Sequence, residues 1–187
     1  LPTPLNIFAG MKVLVVGGGA REHSMVWKLA GERGVHDVIC APVNAGIASI
    51  ARCIPVDSGE PAAVLALAER EAVDLTVVGP EAPLSRGLAD LFTARGLAIV
   101  GPSRAAAELE SSKAFAKAFM ARHQVPTARF AVCDSIKGAM EALATGELGY
   151  PVVVKADGLA AGKGVVIAED CATAKTAVHS AMVDRKF

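Results

Sequence analysis

Residues 11–23 read Met-Lys-Val-Leu-Val-Val-Gly-Gly-Gly-Ala-Arg-Glu-His. Positions 13–16 are continuously apolar and rich in β-branched residues, which is typical of a strand buried on both faces of a parallel sheet. Three glycines follow the strand, and apolar residues then recur at helical spacing from Met25 to Ala30. The stretch therefore predicts a strand, a tight turn and a helix, which is the first half of a βαβ unit.

The same alternation continues along the next eighty residues. Further strands are predicted at 38–41, 75–78 and 97–100, and helices at 63–72 behind Pro61 and at 84–94 before Gly96. Alternating strands and helices predict right-handed crossovers and a parallel sheet, in which ligands bind at the carboxyl ends of the strands. Loops containing glycine or proline lie at those ends, at 17–21, 42–46, 79–84 and 101–103.

The pattern changes after about Ser103. A predicted helix carries Phe115 and Phe119 on one face with Lys113 off it, and a second helix is predicted at 136–143. Apolar stretches at 150–155 and 165–167 then read as two strands of a hairpin, joined by a long glycine-containing loop. This part of the chain predicts a second unit of the α+β type.

Composition excludes several classes of protein. Of 187 residues 52% are hydrophobic, and 19 basic side chains balance 19 acidic ones, so the chain is neither disordered nor a typical polyanion binder. Aromatic residues make up only 4%, which disfavours base-stacking surfaces. No apolar run approaches the ~18 residues that a membrane span requires. The four cysteines form no CxxC pair and predict reduced, mostly buried thiols in a cytoplasmic protein.

The first glycine loop predicts anion binding. Glycines let the backbone approach an anion, and the following helix presents free N–H groups and the positive end of its dipole. The dinucleotide fingerprint is incomplete, because Glu22 stands at its third glycine position and the second strand ends without a carboxylate. The loop therefore favours a phosphate or phosphoribosyl group over NAD. A tight turn without any ligand remains the alternative.

The loop after the last long strand is the strongest chemical signal. Lys155 ends an apolar strand, and residues 156–164 contain three glycines and Lys163. Backbone N–H groups together with two ammonium groups suit a triphosphate. The spacing is not that of a Walker A loop. Lys155 shares a strand face with Val153, and because an ammonium without a partner is costly to bury, a phosphate is its expected partner. A solvated hairpin is the alternative.

Other candidate residues are weaker when each is taken alone. Glu81 follows a predicted strand, and its carboxylate would accept a hydrogen bond from a cationic group or a hydroxyl. Capping of a helix is the alternative role. Asn44 and Gly46 lie in what reads as an ordinary turn. The four histidines show no metal-ligand spacing, and no Ser/His/Asp or Cys/His nucleophile is visible.

Five stretches together resemble the glycinamide ribonucleotide synthetases (phosphoribosylamine–glycine ligases), a purine-biosynthesis family of the ATP-grasp superfamily. They are residues 16–23, 41–46, 78–84, 109–115 and 153–165, and the resemblance extends over nearly the whole chain from Met11. Ala20 and Val43 depart from the family pattern, which has glycine at both positions. These changes would reshape loops near a substrate phosphate.

The resemblance implies an α/β chain with a Rossmann-like, parallel-sheet pre-ATP-grasp domain at 11–111. The beginning of an α+β ATP-grasp module follows at 112–187, and residues 1–10 are an extension. Family enzymes are longer, so the adenine-binding strand and the metal ligands are expected beyond Phe187.

The activity implied is ATP-dependent ligation of glycine to phosphoribosylamine through glycyl phosphate, with Mg²⁺ or Mn²⁺. The implied ATP-binding residues are Lys113, Lys155, Gly158, Gly162, Lys163 and Gly164. The implied substrate-binding residues are Gly17, Gly18, Gly19, Arg21, Asn44, Gly46 and Glu81. No catalytic residue and no metal ligand is assigned within the chain, which is expected to be inactive alone, and neither nucleic acid nor membrane is an expected partner. The alternatives are another ATP-grasp carboxylate–amine ligase and a non-catalytic nucleotide-binding fragment.

Overall fold

The computed structural model describes residues 10–159 and 164–184. Contacts within the chain divide it into two compact units, and the division falls between Ala107 and Glu108. The domain boundary expected after Ser111 stays a prediction.

In the described part of the first unit, five parallel strands form one sheet in the order β3-β2-β1-β4-β5. The strands are β1 (Met11–Val16), β2 (Val35–Ala41), β3 (Arg52–Cys53), β4 (Leu75–Val78) and β5 (Ile99–Val100). Central β1 pairs with β2 on one side and with β4 on the other. The predicted parallel sheet is confirmed. Strand β3 was not predicted, because two residues are too few to show a period.

The helices of this unit follow the strands as the alternation predicts. They are α1 (Ala20–Ala30), α2 (Pro61–Arg70), α3 (Glu81–Ser85) and α4 (Leu88–Ala94), and a short 3-10 helix spans Ile47–Ser49. Helix α5 (Arg104–Ser111) contains the division between the two units. The single helix predicted at 84–94 is wrong, because Gly87 adopts a φ of +86° between α3 and α4. Glycine takes this left-handed conformation without a steric penalty, so the chain turns there.

Strand β1 is buried on both faces, as its apolar run predicts. Leu14 and Val16 face a cluster that includes apolar side chains of α2 and α4. Val13 and Val15 face the opposite cluster, which includes Val26 of α1. Helices thus cover both faces of the sheet, and the loops at the carboxyl ends of the strands are left to build a site.

The second unit contains α6 (Lys113–Arg122), α7 (Ile136–Ala144), β6 (Val152–Lys155), β7 (Val165–Ala168) and α8 (Cys171–Met182). Strands β6 and β7 pair antiparallel, which confirms the predicted hairpin. Helix α8 contacts α7 and both strands. Within the described ranges, none of the helices is long and apolar enough to cross a lipid bilayer.

Candidate functional site

The loops after β1, β2 and β4 meet at one edge of the sheet. The Gly17 N–H donates to the Ala41 carbonyl at 2.7 Å, and the Gly79 N–H donates to the Val16 carbonyl at 3.0 Å. The parallel topology therefore brings together three loops that are distant in sequence.

Asn44 joins two of these loops through its side-chain amide. Its Nδ2 donates to the Gly18 carbonyl at 2.8 Å, and its Oδ1 accepts from the Ile47 N–H at 3.0 Å. Gly46 lies against His23, because a Cβ at Gly46 would come 3.0 Å from the imidazole Cε1. Both predicted residues lie at this edge, where Asn44 shapes the loops through its backbone contacts.

Glu22 is a residue of this edge that the sequence analysis did not select as a candidate. Its side chain is buried, with only 4% of the residue exposed. Oε2 accepts from the Gly19 N–H at 2.7 Å, and Oε1 accepts from Arg21 Nε at 2.9 Å. A glutamate three positions after the residue that caps a helix is a sequence signal for this bond between its carboxylate and the N–H of the capping residue.

Two glycines leave room for the Glu22 side chain. A Cβ at Gly17 would come 2.6 Å from Glu22 Cγ, and one at Gly79 would overlap the same carboxylate group. Both positions, in two separate loops, must therefore lack a side chain for the buried glutamate to fit between them.

At this edge the positive charge of Arg21 lies near two carboxylates, those of Glu22 and Glu81. Burial tends to raise the pKa of Glu22, but the Arg21 guanidinium and the Gly19 N–H outweigh it and the pKa is lowered, so the carboxyl group is ionised. The hydrogen bond to Glu22 in turn raises the pKa of Arg21. Arg21 Nη2 also lies 3.7 Å from Glu81 Oε2. The guanidinium suits an anion, whereas the Glu81 carboxylate suits a hydroxyl or amine.

Helix α6 and the loop after β6 form the second candidate site. Lys113 Nζ donates to the Gly158 carbonyl at 2.7 Å. Asp157, which was not predicted, accepts from Ser112 Oγ at 3.0 Å, from the Lys113 N–H at 2.6 Å and from the Ala114 N–H at 3.3 Å. Two of the predicted ATP-binding residues, Lys113 and Gly158, are thus in direct contact.

Lys155 lies at the end of β6, and its side chain is exposed. The argument that burial forces a partner on its ammonium is therefore wrong. The strand alternation itself is confirmed, because Val153 is 45% exposed on the same face, and Val165 and Ile167 of β7 are 48% and 64% exposed. Lys155 pairs directly with Val165. The ammonium thus ends an exposed apolar strand face.

The remaining loop residues are only partly described. The Gly164 carbonyl accepts from the Ala156 N–H at 2.9 Å and closes the hairpin. Gly162 and Lys163 lie outside the described residues. Among the described residues, no group of three or more His, Cys, Asp or Glu side chains could hold a metal ion.

Family models match the chain from residue 11 to its end. The phosphoribosylglycinamide synthetase N domain matches residues 11–110, and the ATP-grasp (A) domain of the same family matches residues 111–187. The chain belongs to the phosphoribosylglycinamide synthetase family. The resemblance and the α/β fold class inferred from the sequence are thereby confirmed.

Curated relatives carry the name phosphoribosylamine–glycine ligase. The one from Xylella fastidiosa (strain Temecula1) is 50% identical over 179 residues, which are 95% of this chain and 41% of the relative. The one from Ralstonia nicotianae is 52% identical over 178 residues, which are 95% of this chain and 42% of the relative. The chain therefore spans about two fifths of the length of these ligases.

Solved structures show the same family and a wider fold group. The phosphoribosylamine–glycine ligase of Thermotoga maritima superimposes with a TM-score of 0.70 at 28% identity, over 92% of this chain and 41% of its own. A Campylobacter jejuni biotin carboxylase superimposes with a TM-score of 0.73 at 21% identity, over 97% of this chain and 44% of its own. The second likeness shows the fold alone.

Proposed function

We propose that the whole protein ligates glycine to 5-phosphoribosylamine with ATP, forming glycinamide ribonucleotide, ADP and phosphate through glycyl phosphate. The membership in the synthetase family supports this reaction, and de novo purine biosynthesis is the proposed pathway. The observation that carries the proposal is the exposed apolar strand face of β6 and β7, which ends at the Lys155 ammonium. The cytoplasm is the proposed compartment, as the unpaired cysteines predict.

The strand face suits a nucleotide because an apolar surface leads to a cationic end, in the same order as the base and the triphosphate of ATP. A purine ring packs on apolar side chains, and Val153 and Ile167, which pair across the hairpin, provide such a surface. The triphosphate requires cations and N–H donors, which the loop end of the hairpin is proposed to supply.

Two lysines are proposed to supply the cations at that loop end. Lys155 is the last residue of β6, and Lys113 is bonded to the Gly158 carbonyl at the start of the loop. An ammonium has three donors, so the bond to Gly158 leaves Lys113 able to bind a phosphate oxygen as well. Gly158, Gly162, Lys163 and Gly164 are proposed to complete the cradle and to exclude water from the acyl phosphate.

A divalent cation, when bound to ATP in such enzymes, neutralises charge on the phosphates. The described residues include no group of three or more His, Cys, Asp or Glu side chains that could hold this ion. Its ligands are proposed to lie beyond Phe187.

The sheet edge of the first unit is proposed to bind phosphoribosylamine. A phosphate is proposed to meet the start of α1 beside Arg21 and the Gly18 N–H. Gly17 and Gly19 are proposed to let it approach the backbone, since their own N–H groups already donate to Ala41 and Glu22. The Gly18 N–H has no acceptor in the described part of the chain and remains available. Glu81 would accept from a ribose hydroxyl or from the amine, and Asn44 and Gly46 shape the wall. Attack of the amine on the glycyl phosphate carbonyl would form the amide bond and release phosphate.

Another ATP-grasp carboxylate–amine ligase is the second candidate, since a biotin carboxylase shares the fold. The identity of about 50% to glycine ligases favours the first candidate. A non-catalytic nucleotide-binding protein is the third candidate, and an assay of ligase activity distinguishes it from the other two.

The test is phosphate release by the full-length protein with ATP, glycine and phosphoribosylamine, each omitted in turn. We expect release only when all three are present. Arg21→Met should raise the KM for phosphoribosylamine about tenfold and leave the KM for ATP unchanged. Release without glycine, or with bicarbonate in its place, would favour another ligase, and no release under any condition would favour the non-catalytic reading.

A further inference from the structure

Two thiols lie side by side beneath the loops at the sheet edge. Cys40 of β2 and Cys53 of β3 are direct partners in the parallel ladder. Residues paired in register project from the same face of a sheet. Both side chains accordingly belong to the cluster that packs against α1.

The spacing of this pair suits a disulfide. Neighbouring strands are about 4.8 Å apart, and disulfides join residues whose Cα atoms are ~4.4–6.8 Å apart. All four cysteines are free thiols in this structure. The expectation that most of them are buried is wrong, because Cys40 is buried and the other three are half-buried. Cys53, on the edge strand, is therefore the member of the pair that a small oxidant can reach.

Each sulfur also contacts a loop of the sheet edge. Cys40 Sγ donates to the Gly17 carbonyl at 3.2 Å, and Cys53 Sγ lies 3.9 Å from the Asn44 carbonyl. The thiols thus connect the strand interior to the first glycine loop and to the loop that Asn44 braces.

We propose that Cys40 and Cys53 are a dithiol modification site, which peroxide converts to a disulfide that loosens the Gly17 and Asn44 loops. The Cys53 thiolate attacks a peroxide oxygen, so an S–O bond forms, the O–O bond breaks and hydroxide leaves. The Cys40 sulfur then attacks the sulfenic sulfur, the S–S bond forms, and hydroxide leaves with the Cys40 proton as water. Two thiols and one peroxide give one disulfide and two waters.

The order of these steps follows from the environments of the two thiols. Burial, with the neighbouring Cys53 as a further cause, raises the pKa of Cys40 to about 12, so its thiolate is scarce at neutral pH. Cys40 is therefore the second thiol to react. In the disulfide neither sulfur carries a proton, so the bonds from Cys40 to the Gly17 carbonyl and from Cys53 to the Asn44 carbonyl are both lost.

Peptide mapping of the full-length native protein tests the linkage. After peroxide treatment, alkylation and trypsin digestion without reductant, the peptides 34–52 and 53–70 should appear joined, lighter than their sum by two hydrogen atoms. Dithiothreitol should separate them. Joined peptides that involve Cys133 or Cys171 at equal yield, or linkage that appears only after denaturation, would overturn the proposal.

Hydrogen exchange tests the effect on the loops without any assay of activity. We expect the Gly17 and Ile47 amides to exchange on the order of tenfold faster in the oxidised protein. Cys53→Ser should abolish both the linkage and the faster exchange, whereas the matched control Cys133→Ser, another half-buried thiol, should abolish neither. Unchanged exchange in the linked protein, or faster exchange in oxidised Cys53→Ser, would overturn the coupling to the loops.

A consequence for catalysis rests on the proposed function. Oxidation should raise the KM for phosphoribosylamine and leave that for ATP unchanged, and dithiothreitol should reverse the change. A reduced wild-type protein without ligase activity would refute the proposed function while leaving the linkage and exchange results to decide on the dithiol.

Discussion

The ammonium of Lys113 donates to the carbonyl oxygen of Gly158 at 2.7 Å, although 45 positions separate the two residues. A second hydrogen bond joins the same two segments, because Asp157 accepts from the Lys113 backbone N–H at 2.6 Å. The start of α6 and the loop after β6 therefore hold each other, and a lysine proposed to bind ATP is oriented before any nucleotide arrives.

Removing the Asp157 carboxylate should destabilise this contact. Asp157→Ala leaves two backbone N–H groups at the start of α6 without their acceptor, and we expect unfolding free energy to fall by about 1 kcal/mol. Asp157→Asn keeps an acceptor oxygen and should retain most of the stability. Chemical denaturation of both variants checks this, and equal stability of Asp157→Ala and wild type would show that Asp157 does not hold the helix.

Stability should depend on the ionisation of Asp157. Burial tends to raise its pKa, but hydrogen bonds from the Ala114 and Gly158 N–H groups, the Ser112 hydroxyl and the Lys113 N–H lower it overall. A carboxyl group with a lowered folded-state pKa stabilises the protein above its unfolded pKa of about 3.9 and loses that contribution as pH falls through the folded value. Denaturation at several pH values should show a wild-type advantage over Asp157→Asn that shrinks below about pH 4. An advantage that stays constant across that range would contradict the assignment.

Gly79→Ala should destabilise the first unit. The new Cβ would overlap the buried Glu22 carboxylate, which two hydrogen bonds hold in place, and the expected loss is about 1–3 kcal/mol. Gly18→Ala is the matched control, since its Cβ would meet nothing closer than 3.6 Å. Thermal melts of the two variants should separate them, and equal melting temperatures would show that the space around Glu22 is not restrictive.

Lys155→Met should weaken ATP binding by about tenfold to a hundredfold in the full-length protein, because a charged hydrogen bond to phosphate is lost. The melting temperature without ATP should not change, since the side chain is exposed. Lys137→Met removes another exposed lysine, whose Nζ lies 3.9 Å from a Glu141 oxygen, and should leave ATP binding unchanged. Calorimetric titration gives both affinities, and an unaltered affinity of Lys155→Met would remove Lys155 from the proposed ATP site.

The isolated 187-residue chain should not turn over substrate. It spans about 41% of its Xylella relative, and its described residues form no metal site. Phosphoryl transfer from ATP needs a metal ion to neutralise developing charge. An assay of ADP formation with glycine and phosphoribosylamine should stay at background for this chain, with full-length protein as the positive control. Substrate-dependent ADP formation by the isolated chain would refute the prediction.

The sequence by itself determined the elements whose signals are local. The apolar run of β1, the alternation of strands and helices and the hairpin of β6 and β7 follow from periodicity and turn residues over short windows. The family could also be recognised from the sequence, because its motifs are short contiguous stretches of residues. The alternation also placed Val153 and Lys155 on one strand face, where the structure has them.

Only the tertiary structure decided which distant groups meet. Glu22 is an ordinary first-turn glutamate in the sequence, and its burial depends on Gly17 and Gly79 leaving space from two loops at once. The exposure of Lys155 and the capping of α6 by Asp157 likewise depend on neighbours that no local pattern encodes. Strand β3 forms because β2 offers it a partner, and the Cys40–Cys53 pairing exists only in that register. Periodicity reports which side of an element is apolar, whereas the partner across the fold is set by how the packed elements fit together.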